Sequence, residues 1–227
     1  MKTASTTAAG NSLEWVHPAR QERSQQTLER LLDAAEILLE EKGFDEVPVT
    51  EIARRAESSV GALYARFVDK DAILHALHER FCQQAYATAD AALDPARWEG
   101  ALIAEVVSEC VDFLVRIIRE REGLCRTLAA RVFDPQIRER VEALGRYVGH
   151  KLQGLLLVRR EAITHPNPEL ACDFAFRQAY LVLDPLVARS GFDPGLIPLR
   201  DSEIAAEVTR SFLAYLGVRE PTDGSHA

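Results

Sequence analysis

Two breaks, at Gly43 and at Glu57-Ser58-Ser59, cut the 48 residues from Arg20 to Phe67 into three helical pieces, and this spacing constrains the chain more than any other feature. In the first piece Leu28, Leu31, Leu32, Ala35, Leu38 and Leu39 recur at i, i+3, i+4 and i+7, which lays one apolar stripe along a helix. Gly43 ends it, as a residue free to take positive φ just past a helix should. Val47-Pro48 restarts the chain, with Pro48 expected in the first helical turn, where its missing N–H does no harm. That second helix runs to about Ala56 and gathers Ile52, Ala53 and Ala56 on one face. Ser59 then stands where an N-cap belongs. The third helix, Val60 to Phe67, is expected to anchor through Val60, Leu63 and Phe67 and to present Gly61, Ala62, Tyr64 and Arg66 outward. Two short helices about a tight turn, the second bearing small outward residues, form a helix-turn-helix, whose second helix can enter the major groove of DNA.

The segments Leu31-Leu32-Asp33-Ala34-Ala35, Lys42-Gly43-Phe44, Glu51-Ile52-Ala53-Arg54-Arg55-Ala56, Gly61-Ala62-Leu63-Tyr64-Ala65-Arg66-Phe67 and Lys70 follow one another in register. In order and spacing this stretch resembles the amino-terminal domain of TetR-type transcriptional regulators. The resemblance implies an all-α fold: an amino-terminal three-helix DNA-binding domain with a helix-turn-helix, then a larger helical ligand-binding and dimerisation domain. It also implies phosphate contacts for Tyr64 and Lys70. Two residues depart from the family pattern. Glu57 takes the turn position where the family usually has glycine, which implies turn strain and a negative charge near the expected phosphate surface. Pro48 stands where a small hydroxyl residue commonly opens the second helix.

With 227 residues, 47% of them hydrophobic, the chain can bury a small domain and a larger one. The expected division is a flexible arm at 1–17, the DNA-binding domain at 18–68, the effector-binding and dimerisation domain at 69–218, and a flexible tail at 219–227. A formal net charge of −8 excludes a protein that coats nucleic acid by its overall field, so DNA must be met by a local basic face. Between Thr50 and Lys70 that face has Arg54, Arg55, Arg66 and Lys70 against Glu51, Glu57 and Asp69, with Arg20 and Arg23 before the first helix. Cys82, Cys110, Cys125 and Cys172 lack paired spacing, which fits reduced thiols and small core residues. No apolar run approaches the roughly eighteen residues that span a bilayer, and Met1 to His17 lacks the apolar stretch of a secretory signal. A cytoplasmic protein that does not enter membranes is expected.

From Asp69 onward Pro and Gly punctuate long helical patterns, placing helices at Asp69–Leu93, Ala96–Arg121, Leu124–Val132, Pro135–Ile163, Pro168–Ser190 and Ser202–Leu216. The penultimate helix is apolar on more than one side through Phe174, Phe176, Tyr180, Leu181, Leu183, Leu186 and Val187; the last repeats Ile204, Val208, Phe212 and Tyr215. A helix apolar nearly all round must be covered twice. A two-fold four-helix interface built on Phe174, Tyr180, Leu181, Leu183, Ile204, Val208, Phe212 and Tyr215 would do so, and the TetR resemblance implies that arrangement. Two recognition helices spaced roughly 34–36 Å apart on one duplex face likewise call for a homodimer.

The candidate DNA contacts are Ser59, Val60, Gly61, Ala62, Tyr64, Arg66, Lys70, Arg54 and Arg55. Arg66 either reaches a guanine edge or phosphate or stays a solvated charge. Arg54 and Arg55 meet the DNA backbone or pair with Glu51 or Glu57. Ser59 has both capping and phosphate bonding open to it. Phe113, Ile117, Leu128, Phe133, Tyr147 and Leu152 supply candidate walls for an effector pocket, with Arg131, His150, Arg177 and Gln178 as its polar groups; Arg177 is also one turn from Asp173 and can pair with it. His75, His78 and Cys82 fall within about 60° of arc on one helix, a possible metal row, but no fourth ligand is evident and a hydrogen-bonded boundary histidine explains His78 as well. No metal or cofactor is therefore expected. Catalysis is not expected either, since there is no Gly-rich phosphate loop or nucleophile elbow, and Glu120-Arg121-Glu122 reads as a solvated helix end. The chain is expected to be a one-component repressor of a palindromic double-stranded operator, released by a small apolar effector. The competing expectation is a helical small-molecule-binding or interaction protein that has lost sequence-specific DNA binding.

Overall fold

The computed structural model describes residues 22–183 and 197–218, so the expected arm and tail, and the penultimate helix beyond Leu183 with Leu186 and Val187, lie outside the described residues. The described residues are all-α, with no strand. In chain order the helices are α1 (Glu22–Lys42), α2 (Val49–Arg55), α3 (Val60–Tyr64), α4 (Lys70–Ala92), α5 (Ile103–Glu120), α6 (Glu122–Ala130), α7 (Pro135–Leu157), α8 (Pro168–Leu183) and α9 (Asp201–Leu216). Short 3-10 turns occupy Pro95–Trp98 and Arg160–Ala162.

Two compact units meet within α4, between Phe81 and Cys82, whereas the sequence suggested 68/69. The first turns of α4 belong with the amino-terminal unit because Ile73, Leu74, Ala76 and Leu77 are buried there and Arg80 reaches back to α1. The same unit buries Leu28, Leu31, Leu32, Leu38 and Leu39 of α1, the stripe read from the spacing. Gly43 closes α1 at φ +82, and its N–H donates to Leu39 O at 2.8 Å.

In the carboxyl-terminal unit α9 packs on α5 and α8, and α7 packs on α8. Val106, Val107 and Val111 of α5, Leu152, Leu155 and Leu156 of α7, Ala171, Cys172 and Ala175 of α8, and Val208, Phe212 and Leu216 of α9 form its core. The helix expected from Ala96 to Arg121 is shorter. Pro95 and Gly100 interrupt it, and Trp98 turns inward, its indole N–H donating to Ala92 O at 2.7 Å. Arg159 fixes that corner by donating to the carbonyls of Trp98, Ala101 and Leu155. Those bonds also explain why α7 stops at Leu157 and not at Ile163: Arg159 points back into the corner and the chain tightens into a 3-10 turn.

Candidate nucleic-acid interface

The helix-turn-helix is built by three local devices. Pro48 does not lie inside α2; it is the extended residue before it (φ −76, ψ 143), and its carbonyl accepts from Glu51 N at 2.9 Å and Ile52 N at 3.3 Å. With no hydroxyl at that position, the carbonyl takes up orphan donors of the first turn. At the other end of α2, Ser58 N donates to Ala53 O at 2.9 Å and Glu57 N to Arg54 O at 3.2 Å, the paired bonds of a Schellman motif. That motif needs a left-handed residue at its penultimate position, and Glu57 supplies it at φ +50. The strain implied by the missing glycine is thus present in the backbone. Ser59 (φ −90, ψ 152) then caps α3, its Oγ accepting from Ala62 N at 3.0 Å.

Two apolar side chains fasten α3, Leu63 and Phe67, both at 0% exposure. Val60, expected as a third anchor, is instead exposed. It is the first helical residue, where the side chain falls outside the contact that Leu63 and Phe67 make one and two turns later. The helix stops at Tyr64 and not at Phe67, with Arg66 N bonding back to Leu63 O at 2.9 Å. Gly61, Tyr64 and Ala65 face out, and Ala62 is half-buried.

The basic candidates divide sharply. Arg66 was expected to project outward, but its guanidinium folds back, donating to Ala62 O at 2.9 Å and to Ser24 Oγ at 3.0 Å and Ser24 O at 3.4 Å. It is a strut between α3 and α1. Lys70 Nζ donates to Asp45 O at 3.1 Å and lies 4.7 Å from the Phe44 ring centroid. Asp69, just before it, caps α4 through Ala72 N at 2.8 Å. Arg55 pairs with Glu41 at 3.0 Å and Arg54 approaches Glu51 at 3.9 Å. Glu51 also accepts from Lys42 at 2.7 Å, and that bond holds its carboxyl below the usual carboxylate range. Arg54 remains the most exposed of these cations.

Residues 31–77 match the family model for bacterial regulatory proteins of the tetR family. This is a TetR-family amino-terminal domain. Over 59 residues the chain is 39% identical to the A-factor receptor protein of Streptomyces griseus, a match that covers 26% of this chain and 21% of that relative. The fold extends further than the sequence likeness. A transcriptional regulator from Cytophaga hutchinsonii superposes with a TM-score of 0.66 at 15% identity, covering 84% of this chain and 96% of that one. FadR from Bacillus subtilis in complex with stearoyl-CoA gives 0.57 at 16%, covering 87% and 99%.

In the carboxyl-terminal unit the expected pocket residues do not converge. Phe113 and Ile117 of α5 are half-buried and Leu128 of α6 is buried, but Phe133 is 90% exposed, and His150 and Gln178 also face out. Phe133 lies in the turn before α7, where no helix among the described residues covers it. Arg131 is half-buried, and Arg177 pairs with Asp173 at 2.8 Å. Tyr147 does different work: its hydroxyl donates to Asp90 of α4, Lys151 Nζ meets the same carboxylate at 2.5 Å, and the Tyr86 ring stands edge-on at 4.9 Å. Lys151 and Tyr147 hold the Asp90 carboxyl below its ordinary value, and Asp90 raises both partners. Asp90, Lys151 and Arg80 were not singled out in the sequence. The i, i+4 spacing of Tyr147 and Lys151 was the available signal, but nothing local pointed to their partner 57 positions away.

Of the expected interface residues, Phe174, Tyr180 and Leu181 of α8 are exposed together with Leu170 and Val182. Leu183, Val208 and Phe212 are buried in this chain's own core, and Ile204 and Tyr215 pack against it, so α9 spends its apolar face on α5 and α8. The outward side of α9 carries Glu207, Arg210, Ser211 and Ala214. His75, His78 and Cys82 are all buried, and among the described residues no group of three or more His, Cys, Asp or Glu is arranged to hold a metal. No helix among the described residues is long and apolar enough to cross a membrane.

Proposed function

We infer that the protein is a one-component transcriptional regulator, acting as a homodimeric repressor on a palindromic operator and released by a small apolar effector. The observation that carries this reading is the Ser59-capped α3, fastened by Leu63 and Phe67 and turning Val60, Gly61 and Tyr64 outward, within a TetR-family domain. Tyr64, Lys70, Ser59 and Arg54 would contact phosphates; Val60, Gly61 and Ala62 would approach base edges; Arg55 would contribute field. Arg66 positions α3. The apolar stripe Leu170, Phe174 and Leu181 on α8, at i, i+4 and i+11, supports a second copy as its cover. An apolar effector is supported by the fold it shares with FadR, whose complex holds stearoyl-CoA. An effector that favours an operator-incompetent state by about 3 kcal/mol would lower DNA affinity on the order of a hundredfold.

Selection of duplexes from a random pool by the purified protein tests this, followed by titration of the best site with wild type, Tyr64→Ala and Lys70→Ala. A palindrome bound by two chains, with both variants weaker, is the expected result. If nothing is enriched even at low salt, where phosphate contacts are strongest, the regulator reading fails and a helical small-molecule-binding or interaction protein takes its place.

A further inference from the structure

The recognition helix lacks the bidentate groups that single out a purine. A side chain that distinguishes guanine or adenine in the major groove does so by pairing twice with one base edge, which needs the guanidinium of Arg, the ammonium of Lys, or the amide of Asn or Gln. From Ser58 to Ala65 the sequence is Ser-Ser-Val-Gly-Ala-Leu-Tyr-Ala and holds none of these. The guanidinium nearest in sequence, Arg66, is turned back towards α1, with Nη1 donating to Ala62 O and Nη2 to Ser24 Oγ and Ser24 O. Releasing it would break the strut that joins α3 to α1. Leu63 and Phe67 are buried, so the outward surface is Ser59, Val60, Gly61, Tyr64 and Ala65, with Val68 just beyond at 72% exposure.

That surface is uncharged and largely apolar. The Ser59 oxygen already accepts from Ala62 N, which leaves its O–H to donate. A Cβ added at Gly61 would meet only Ser59 Oγ, at 3.9 Å, so the backbone there can come close to a groove floor. Val60, at the amino-terminal end of α3, is the end residue that a helix-turn-helix brings to the bases. Val60 is 37% exposed in the free chain. Within the major groove the one apolar feature a base pair offers is the thymine 5-methyl group. We propose that α3 reads its half-site chiefly through thymine methyl groups, with Val60 as the specificity-determining residue, and not by hydrogen bonding to purines.

The proposal rests on the DNA-binding reading above and names what that interface recognises. Its test uses the full chain and the selected palindrome. Each thymine is replaced in turn by uracil, which removes the methyl and leaves every hydrogen-bonding group in place. Burial of one methyl corresponds to about fourfold in affinity, so symmetric replacement in both half-sites should weaken binding about fifteenfold at one position. Replacing that pair by C·G should also weaken binding, and 5-methylcytosine should recover part of the loss. Val60→Ala should shrink the thymine-to-uracil ratio towards one, whereas Tyr64→Ala should weaken both duplexes alike and leave the ratio intact. Helicity of both variants is checked against wild type. A palindrome that is bound tightly but indifferent to uracil at every position overturns the methyl reading and leaves the regulator standing. A ratio unchanged in Val60→Ala overturns the assignment to Val60. Failure to enrich any duplex overturns both readings together.

Discussion

Replacing Glu57 separates backbone strain from charge at the turn of the helix-turn-helix. Glu57 sits at φ +50 as the left-handed residue of a Schellman motif, and Gly217, after α9, fills the same position in a second one at φ +68, with Val218 N donating to Leu213 O and Gly217 N to Ala214 O, both at 3.0 Å. The chain therefore contains its own reference for what the motif prefers. A residue with a Cβ in this region costs roughly 1–2 kcal/mol. Glycine relieves that, but it gives back about 0.4–1 kcal/mol through the entropy of the unfolded chain. Glu57 is exposed, so little packing is lost on truncation. Glu57→Gly should thus stabilise by about 1 kcal/mol, which for a chain of this size raises the melting temperature by about 2–4 °C. Glu57→Gln keeps the Cβ and the strain and should leave the midpoint within a degree or so of wild type. On operator DNA the two variants should instead behave alike. Each removes a negative charge that, taken at about 8 Å from a phosphate in water, repels it by roughly 0.5 kcal/mol in each of the two half-sites, so affinity of the homodimer should rise about fivefold in both and by less at high salt. Thermal unfolding and fluorescence titration at two ionic strengths read the two effects separately. A midpoint raised as much by Gln as by Gly, or lowered by Gly, would refute the strain argument.

The opposite change, Gly217→Ala, should be costly: its Cβ would lie 2.1 Å from Thr164 Oγ1 besides carrying positive φ, and a loss of about 2–3 kcal/mol should appear as an earlier thermal midpoint. Arg80→Met removes a guanidinium, 12% exposed, that pairs with Asp33 at 2.6 Å, with Glu36, and with Glu29 at 3.7 Å; the variant should lose about 1–2 kcal/mol by chemical denaturation. Because three carboxylates are then left facing one another, added salt should stabilise the variant more than wild type. Burial pushes the Cys110 and Cys172 thiols up to about 11, with nearby Glu109 and Glu169 adding to the shift. Both should resist alkylation at mildly alkaline pH until the chain is denatured, as mass spectrometry would show. Their folded values are raised, so the stability they contribute is complete below the ordinary thiol value of 9.0 and is lost as pH climbs through about 11. Rapid labelling of the native protein would contradict the assignment.

The parts of this fold legible in the sequence are those fixed by contacts within a few residues. The α1 stripe, the Ser59 and Asp69 caps and the strained turn at Glu57 all follow from residue type at a fixed spacing. Several of the failures share one cause, a partner far away in the chain. Arg66 looks like an outward cation on a helical wheel, but Ser24, 42 positions earlier, captures it. Val208 and Phe212 read as a surplus apolar face until α5 is seen to cover them. Phe133 reads as a pocket wall, and His150 as one of its polar groups, because residue type and spacing carry no information on whether another helix passes overhead. The α5 boundary slipped because the Trp98 corner is stabilised by Arg159, 61 positions later.

These long-range contacts give α4 unequal holds at its two ends, and that inequality bears on how an effector signal could travel. In the amino-terminal unit the helix is buried through Ile73, Leu74 and Leu77 and locked by Arg80, a mostly buried cation shared among three carboxylates of α1. In the carboxyl-terminal unit its described core residues are Ala89 and, just past its end, Leu93, and Asp90 meets Tyr147 and Lys151 at the surface. Hydrogen bonds shared among three carboxylates around a mostly buried guanidinium hold more firmly than solvent-screened contacts at an exposed carboxylate. The start of α4 therefore belongs to the DNA-binding unit in energy as well as in contact. Asp90 is the weaker attachment, and it ties α4 to α7, which also packs on α8. On the proposed reading of the chain as an effector-released regulator, a change in α7 that broke the Asp90 contacts would loosen the distal end of α4, while the Arg80 contacts keep its start on α1.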